Sequence, residues 1–178
     1  MAQSEHRSRP VAVAIAIVIC VGVTASAGAA STAARASTTA ATGARMIAGS
    51  KRRAAAARYL AIAKAGNRSL DHYFDRLEGT DRNRLARARA DLHAIAATER
   101  LFDRRLSRIE FPVKAERIAR SLRRINQKRA ALTAAAARSS SLRELRDYER
   151  RLNAANRPVE RAVRAIRRQL GLPPPATS

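Results

Sequence analysis

The stretch that decides the fold is residues 142–170, "LRELRDYERRLNAANRPVERAVRAIRRQL", near the C-terminal end of the chain. Its apolar residues recur every three or four positions and never alternate with period two, which predicts a long amphipathic helix. This apolar stripe consists of Leu145, Tyr148, Leu152, Val159, Val163 and Ile166. Ser141 and Glu144 form a capping box at the start, and Gly171, followed by an apolar residue and a proline, ends the helix.

Three earlier blocks with the same periodicity complete the predicted fold. They run from about Ala54 to Leu77, from about residue 81 to Ile109, and from Val113 to Arg138. Thr80 or Asp81 is the expected N-cap of the second helix, because short polar side chains accept hydrogen bonds from the first turn. Four helices of similar length joined by short turns imply antiparallel neighbours. The sequence therefore predicts an all-α, up-down-up-down four-helix bundle over residues 51–172.

Three asparagines, Asn67, Asn126 and Asn156, fall on or beside the apolar stripes. Counted from the nearest turns at about 1.5 Å per residue, they lie at one level to within a helical turn. This predicted interior polar layer has two interpretations: a hydrogen-bonded layer that fixes helix register, or a small ligand pocket. The first is favoured, because a pocket normally brings a charged or aromatic group to orient its ligand. Pro158 is expected to kink the fourth helix without breaking it, since the heptad phase continues past it.

Glu99 also occupies a heptad position, between Ile95 and Phe102. Its height along the bundle predicts an ion pair or hydrogen bond with Arg58 or Tyr59 of the first helix. A role for Glu99 as a catalytic acid is disfavoured, because the sequence places no second carboxylate near it to act as its partner in acid–base catalysis.

Other candidate chemistry in the chain is sparse. Asp71, His72 and Asp75 lie within one helical turn, but three ligands from one helix are poor evidence for a metal site, and a solvated helix face is the preferred interpretation. The Glu-x-x-His pattern of di-iron bundles, a Gly-rich phosphate loop and a Gly-x-Ser-x-Gly elbow do not occur. The sequence predicts no catalytic residue, no metal site and no cofactor, and hence a protein that is not an enzyme.

The chain is strongly basic, with 36 Lys and Arg against 14 Asp and Glu and a net charge of +22. Residues 51–178 alone carry 32 basic and 13 acidic residues, a net charge of +19. A net charge this high produces an electrostatic field that favours polyanions or anionic surfaces as partners. Because 32 of the 36 basic residues are Arg and Ala is abundant, GC-rich coding is an alternative origin of the charge.

Two rows of basic residues at helical spacing are candidate polyanion-binding surfaces. The third-helix ridge consists of Arg117, Arg120, Arg124 and Lys128, and the fourth-helix ridge of Arg157, Arg161, Arg164 and Arg168. Such ridges neutralise anionic lipid head groups, envelope polymers or nucleic acid. The chain has only three Phe, three Tyr and no Trp, so any contact with nucleic acid would be nonspecific and limited to its backbone.

Residues 1–29 have the layout of a secretory signal peptide: Arg7 and Arg9, an apolar run over 11–23, and small residues that offer Ala-x-Ala. The uncharged stretch continues to residue 34, so a retained membrane anchor over 11–34 is the alternative. Residues 30–50 are rich in small polar residues without periodicity, which predicts a flexible spacer. Residues 173–178 are a predicted tail.

The segments "RYLAIAKAGNRSLD", "LFDRRLSRIEFP" and "ANRPVERAVRAIRRQLGLPPP", behind an export signal and an Ala/Thr/Ser spacer, resemble a group of small secreted helical proteins of high-GC Gram-positive bacteria. The resemblance covers about 120 residues and implies export and an all-helical domain. The group has no established activity, so the likeness implies no function. This chain departs from the group in its higher basic charge, in Pro158 and in a polar Glu99 where Leu is usual.

These observations lead to one functional hypothesis and two alternatives. The first is a non-enzymatic, exported bundle that associates with an anionic envelope polymer or lipid surface through the two ridges. The second is a membrane-tethered basic domain that contacts the nucleic acid backbone, which requires residues 11–34 to be retained. The third is a small-ligand binder at the interior polar layer.

Overall fold

The computed structural model describes residues 38–175, with side chains from Met46 onward, and forms four α-helices and no strand within that range. The helices are α1 (Thr38–Glu78), α2 (Leu85–Leu106), α3 (Val113–Ala136) and α4 (Leu142–Leu170). The predicted all-α class with four helices is confirmed.

Each helix packs against the next one in the chain, and α4 returns to make a smaller contact with α1. The α1–α2 pair is antiparallel: Tyr59 stacks edge-on against Phe102, whereas Arg76, further along α1, pairs with Asp91, earlier in α2. Turns of five or six residues join the four helices. Connections this short require neighbouring helices to run in opposite directions.

Helix α1 is longer than predicted and corrects the predicted spacer, because residues 38–50 are helical. Within residues 46–78 of α1, the first buried side chain is Ala55, so residues 46–54 lie beyond the core. The stretch "KRRAAAA" at residues 51–57 has high intrinsic helix propensity, and α1 continues before it through residues 38–50, which show no apolar period. The predicted signal peptide, the alternative anchor and residues 176–178 lie outside the described residues. Within residues 38–175, no helix is both long and apolar enough to span a bilayer.

The ends of α4 follow the prediction closely. The Ser141 hydroxyl accepts a hydrogen bond from the Glu144 N–H at 3.2 Å. The Glu144 carboxylate accepts from the N–H and hydroxyl of Ser140 at 2.7 and 2.9 Å, one residue earlier than in a standard capping box. Gly171 adopts the left-handed conformation with φ 73°, which costs glycine little. Pro158 lies inside α4, which continues unbroken to Leu170.

The turn between α1 and α2 differs from the prediction. Neither Thr80 nor Asp81 caps α2; Arg84 stands at the N-cap and its side chain makes no cap bond. Asp81 is instead buried and accepts hydrogen bonds from Arg76 at 3.1 and 3.3 Å. Because Arg76 also reaches Asp91 at 3.1 Å, one guanidinium ties the turn to both helices.

The core consists of two apolar clusters rather than one. The first includes Tyr59, Phe102, Leu106, Leu122, Val163 and Ile166. The second includes Leu70, Phe74, Leu92, Ile95, Leu145 and Leu152. Along each helix from α2 to α4 the two clusters are separated by buried polar residues, which form the first candidate site.

Candidate functional site

A set of polar side chains from three helices lies between the two apolar clusters, and each is at most 7 % exposed. We call it the buried polar network: Glu99 and Asp103 of α2, Asn126, Arg129 and Thr133 of α3, and Asn156 of α4.

The centre of the network is an ion pair between Arg129 and Glu99, each 1 % exposed. The Arg129 guanidinium donates through Nη1 to Glu99 Oε1 and through Nε to Asn156 Oδ1 at 2.6 Å. The Thr133 hydroxyl lies within hydrogen-bond distance of Glu99 Oε2 at 3.3 Å and of the Arg129 backbone oxygen at 3.1 Å. Burial raises the pKa of Glu99 and lowers that of Arg129, and the attraction between the two charges opposes both shifts.

Asp103 forms the outer edge of the network. Asn126 Nδ2 donates to Asp103 Oδ1 at 3.1 Å and to the backbone oxygen of Glu99 at 3.3 Å. Asp103 Oδ2 has no hydrogen-bond donor among the described residues. Burial raises the pKa of Asp103 to about 6, against the opposing effects of the Asn126 bond and the Arg123 charge. A surface groove of about 240 Å³ borders Asp103 on the side of Arg123.

The structure brings two of the three predicted asparagines into this network. Asn126 and Asn156 are 1 % and 7 % exposed, and the Glu99–Arg129 pair links them. Asn67 is only half-buried, and its Oδ1 has no donor within residues 46–175. Because Arg129 spans the interior between α2 and α4, protein side chains occupy the predicted layer. This geometry favours the register interpretation over a ligand pocket.

The predicted partners of Glu99 were wrong. Glu99 pairs with Arg129 of α3, and neither Arg58 nor Tyr59 bonds to it. The expectation that no second carboxylate lies nearby was also wrong, because Asp103 follows one turn later and the Glu99 charge raises its pKa. One sequence signal could have found Arg129: it fills the gap in the α3 stripe between Ile125 and Leu132.

Arg167 is a second buried arginine that the sequence did not indicate. It is 1 % exposed and donates through Nε to the Pro173 backbone oxygen at 2.6 Å. Its Nη1 and Nη2, and the hydroxyl of Tyr59, have no hydrogen-bond partner in the described part of the chain. Burial raises the pKa of Tyr59, and the nearby Arg167 charge opposes this effect. The bond to Pro173 holds the residues after α4 against its last turn.

All eight residues of the two ridges are exposed on the outer faces of α3 and α4. The two ridges lie on neighbouring helices, which the Arg129–Asn156 bond joins. Arg120 and Arg164 make long contacts to acids on their own helix, at 3.6 and 3.9 Å. The other six have no salt bridge within residues 46–175.

Asp71, His72 and Asp75, the weak metal candidates, are exposed side chains of α1. Among the described residues, no group of three or more His, Cys, Asp or Glu is placed to hold a metal ion. His72 instead stacks edge-on against Tyr73, with ring centroids 5.2 Å apart.

No protein-family model, curated protein or solved structure matches this chain.

Replacing Asp103 with Asn is expected to stabilise the protein at pH 7 and to leave it unchanged near pH 4. Because the folded pKa, about 6, exceeds the ordinary value of 3.8, the folded state binds the proton more tightly. The resulting stability is present below pH 3.8 and is lost as the pH rises through about 6. Asn retains an acceptor for Asn126, so we expect a gain of about 1–2 kcal/mol at pH 7.

Urea unfolding of the Asp103→Asn variant between pH 4 and 7.5 measures this gain. Asp147→Asn is the matched control, because Asp147 is exposed and pairs only with Arg150 within the described residues. An Asp103→Asn variant no more stable than the wild type at pH 7 would contradict the assignment.

Replacing Asn67 and Asn156 singly with Leu is expected to change stability in opposite directions. Asn67→Leu should raise the free energy of unfolding by about 1 kcal/mol, because it removes a buried oxygen without a donor and improves helix propensity. Asn156→Leu should lower it by about 1–3 kcal/mol, because Arg129 loses an acceptor. Chemical denaturation of both variants tests the pair; equal effects would show that the two asparagines have the same role.

Proposed function

We propose that this chain is an exported, non-enzymatic helical bundle that associates with anionic material of the cell envelope through the third-helix and fourth-helix ridges. The observation that carries the proposal is the arrangement of the ridges. Eight basic side chains are exposed on two neighbouring helices. Of these eight, only Arg120 and Arg164 form a salt bridge within residues 46–175.

The energetics of such ridges suit an extended anionic surface. A basic side chain near an anionic membrane contributes about 1 kcal/mol, so several acting together give substantial affinity without a shaped pocket. Tyr59, Phe74 and Phe102 are buried, which leaves few rings for stacking on bases. Recognition would therefore depend on charge and would weaken as salt is added.

Export is the second element of the proposal and rests on the sequence alone. The signal-peptide layout of residues 1–29 supports it, as does the resemblance to small secreted helical proteins of high-GC Gram-positive bacteria. Nothing in that resemblance names a ligand.

The intact mass of the protein recovered from supernatant, envelope and cytosol of a related host tests export. We expect a species outside the cytosol that begins near Gly28 or Ala30. A full-length species held in the membrane would contradict the proposal and favour the tethered alternative, in which the basic domain contacts nucleic acid. Topology mapping would then show on which side of the membrane the ridges lie.

A further inference from the structure

A groove of about 470 Å³ lies between α1 and α2, away from both ridges. Its apolar part includes Ile62, Ala65, Gly66, Tyr73, Leu101 and Phe102. Small-ligand sites usually measure about 300–1,000 Å³, with mostly apolar walls and a few polar groups that fix orientation. The α1–α2 groove has this size and composition.

Large apolar side chains are left partly open to solvent in this groove. Leu101 is 37 % exposed, one of the few large hydrophobic residues of the described chain with such exposure, and Ile62 and Tyr73 are half-buried. Gly66 lines the groove without a side chain that would fill it. A Cβ added at Gly66 would lie 4.0 Å from Phe102 Cδ2, which is an ordinary contact distance. A longer side chain at Gly66 would have to extend into the groove.

The charged side chains that line the groove are two arginines. Arg68, His72 and Arg105 contribute to its lining, which contains no Asp or Glu. Neither Arg68 nor Arg105 forms a salt bridge within residues 46–175. Because Gly66 lies opposite Phe102, Arg105 is nearly one turn from that level, towards the Ile62 end. An occupant of matching chemistry has an apolar body and an anionic head.

We propose that the α1–α2 groove binds a single-chain anionic amphiphile, with its head group beside the Arg105 guanidinium group at the Ile62 end and its alkyl chain along Gly66 and Leu101 towards Tyr73. The proposal does not depend on the ridges, which contact an extended surface, whereas the groove accommodates one molecule. A long-chain carboxylate and an alkyl phosphate share the required chemistry.

Calorimetric titration of the full chain with dodecyl phosphate, and separately with dodecanoate, both below their micelle concentrations, tests the groove. Gly66→Leu fills the groove and also improves helix propensity, so loss of binding would not reflect unfolding. Gly49→Leu is the matched control, because Gly49 also lies inside α1 and its added Cβ would meet only the flexible end of Arg53 at 3.7 Å. We expect saturable binding that Gly66→Leu weakens about tenfold or more and Gly49→Leu leaves within about twofold.

The anionic head is tested with dodecanol and with the double variant Arg68→Gln/Arg105→Gln. Arg143→Gln/Arg146→Gln removes the same charge from exposed positions of α4 outside the groove. We expect dodecanol to bind about tenfold more weakly than dodecyl phosphate, and the groove double variant to bind the two probes equally. Undiminished binding in Gly66→Leu would overturn the site, and equal binding of both probes by the wild type would overturn the ligand class. A preference for dodecyl phosphate over dodecanoate would identify a phosphate head, and the reverse a carboxylate.

Discussion

Replacing Arg129 with Met is expected to lower the free energy of unfolding by about 3–5 kcal/mol, because it leaves the Glu99 carboxylate buried without its counter-ion. Glu99 is 1 % exposed, and its remaining side-chain partner is the Thr133 hydroxyl at 3.3 Å. Met is similar to Arg in length and has good helix propensity. The loss of unfolding free energy therefore measures the removal of the Arg129 charge rather than a change in side-chain shape. Urea unfolding at pH 7 gives the value.

Two comparisons separate the ion pair from general damage to the core. The double variant Glu99→Met/Arg129→Met should recover about 2 kcal/mol or more of the loss, because it buries no unpaired charge. Lowering the pH should also reduce the loss. The pKa of Glu99 is already raised by burial, and without Arg129 it rises further. The free energy of unfolding lost in Arg129→Met is therefore regained as the pH falls from the raised pKa of Glu99 in the folded state towards its ordinary value of 4.5. A loss that is independent of pH and persists in the double variant would contradict the assignment.

The buried polar network gives this bundle a means of fixing its register. The apolar clusters on either side are built largely from Ala, Leu, Ile and Val, and such side chains tolerate repacking. The Arg129–Glu99 and Arg129–Asn156 bonds form only when α2, α3 and α4 are at one relative height. A slip by one turn would leave a buried cation and a buried carboxylate unpaired, at a cost of several kcal/mol.

Replacing the whole fourth-helix ridge with Gln is the second change for which we expect a large effect. The four substitutions are Arg157→Gln, Arg161→Gln, Arg164→Gln and Arg168→Gln. Each guanidinium near an anionic bilayer contributes about 1 kcal/mol, so affinity for vesicles of anionic lipid should fall about a thousandfold at low salt. All four residues are exposed, and Gln keeps helix propensity, so the unfolding transition should be nearly unchanged.

A variant with equal net charge controls for nonspecific electrostatics. Gln at Arg82, Arg84, Arg143 and Arg146 removes four exposed charges around the α1–α2 turn and the start of α4. We expect this variant to bind vesicles no more than about tenfold more weakly than the wild type. Equal losses in the two variants would show that net charge, and not the ridge, governs association.

Patterns within single helices allowed much of the fold to be predicted. The apolar stripe of α4, its Ser141 cap and its Gly171 end are local signals, and each is found in the structure. The helical turns of α1 before Ala55 were missed because the prediction required an apolar period. Residues 38–50, "TTAATGARMIAGS", have no such period.

The network was harder to predict because its contacts join residues far apart in the chain. Heptad spacing predicted inward positions for Asn67 and Asn156, of which Asn156 is buried and Asn67 half-buried, but it did not predict the partner of Glu99. Glu99 and Arg129 are 30 residues apart. The prediction compared the position of Glu99 along the bundle only with residues of α1, and so it overlooked the charged residue at the same level of α3. Asp81 was misassigned for a similar reason: a residue suited to an N-cap became the acceptor of Arg76.

The measurement that tests the central claim most directly is the salt dependence of binding between the mature chain and vesicles of anionic or neutral lipid. We expect tight binding to anionic vesicles at low salt, a steep fall in affinity by about 0.3 M salt, and little binding to neutral vesicles at any salt. Binding that is independent of salt, or equal on both kinds of vesicle, would contradict a function carried by the ridges.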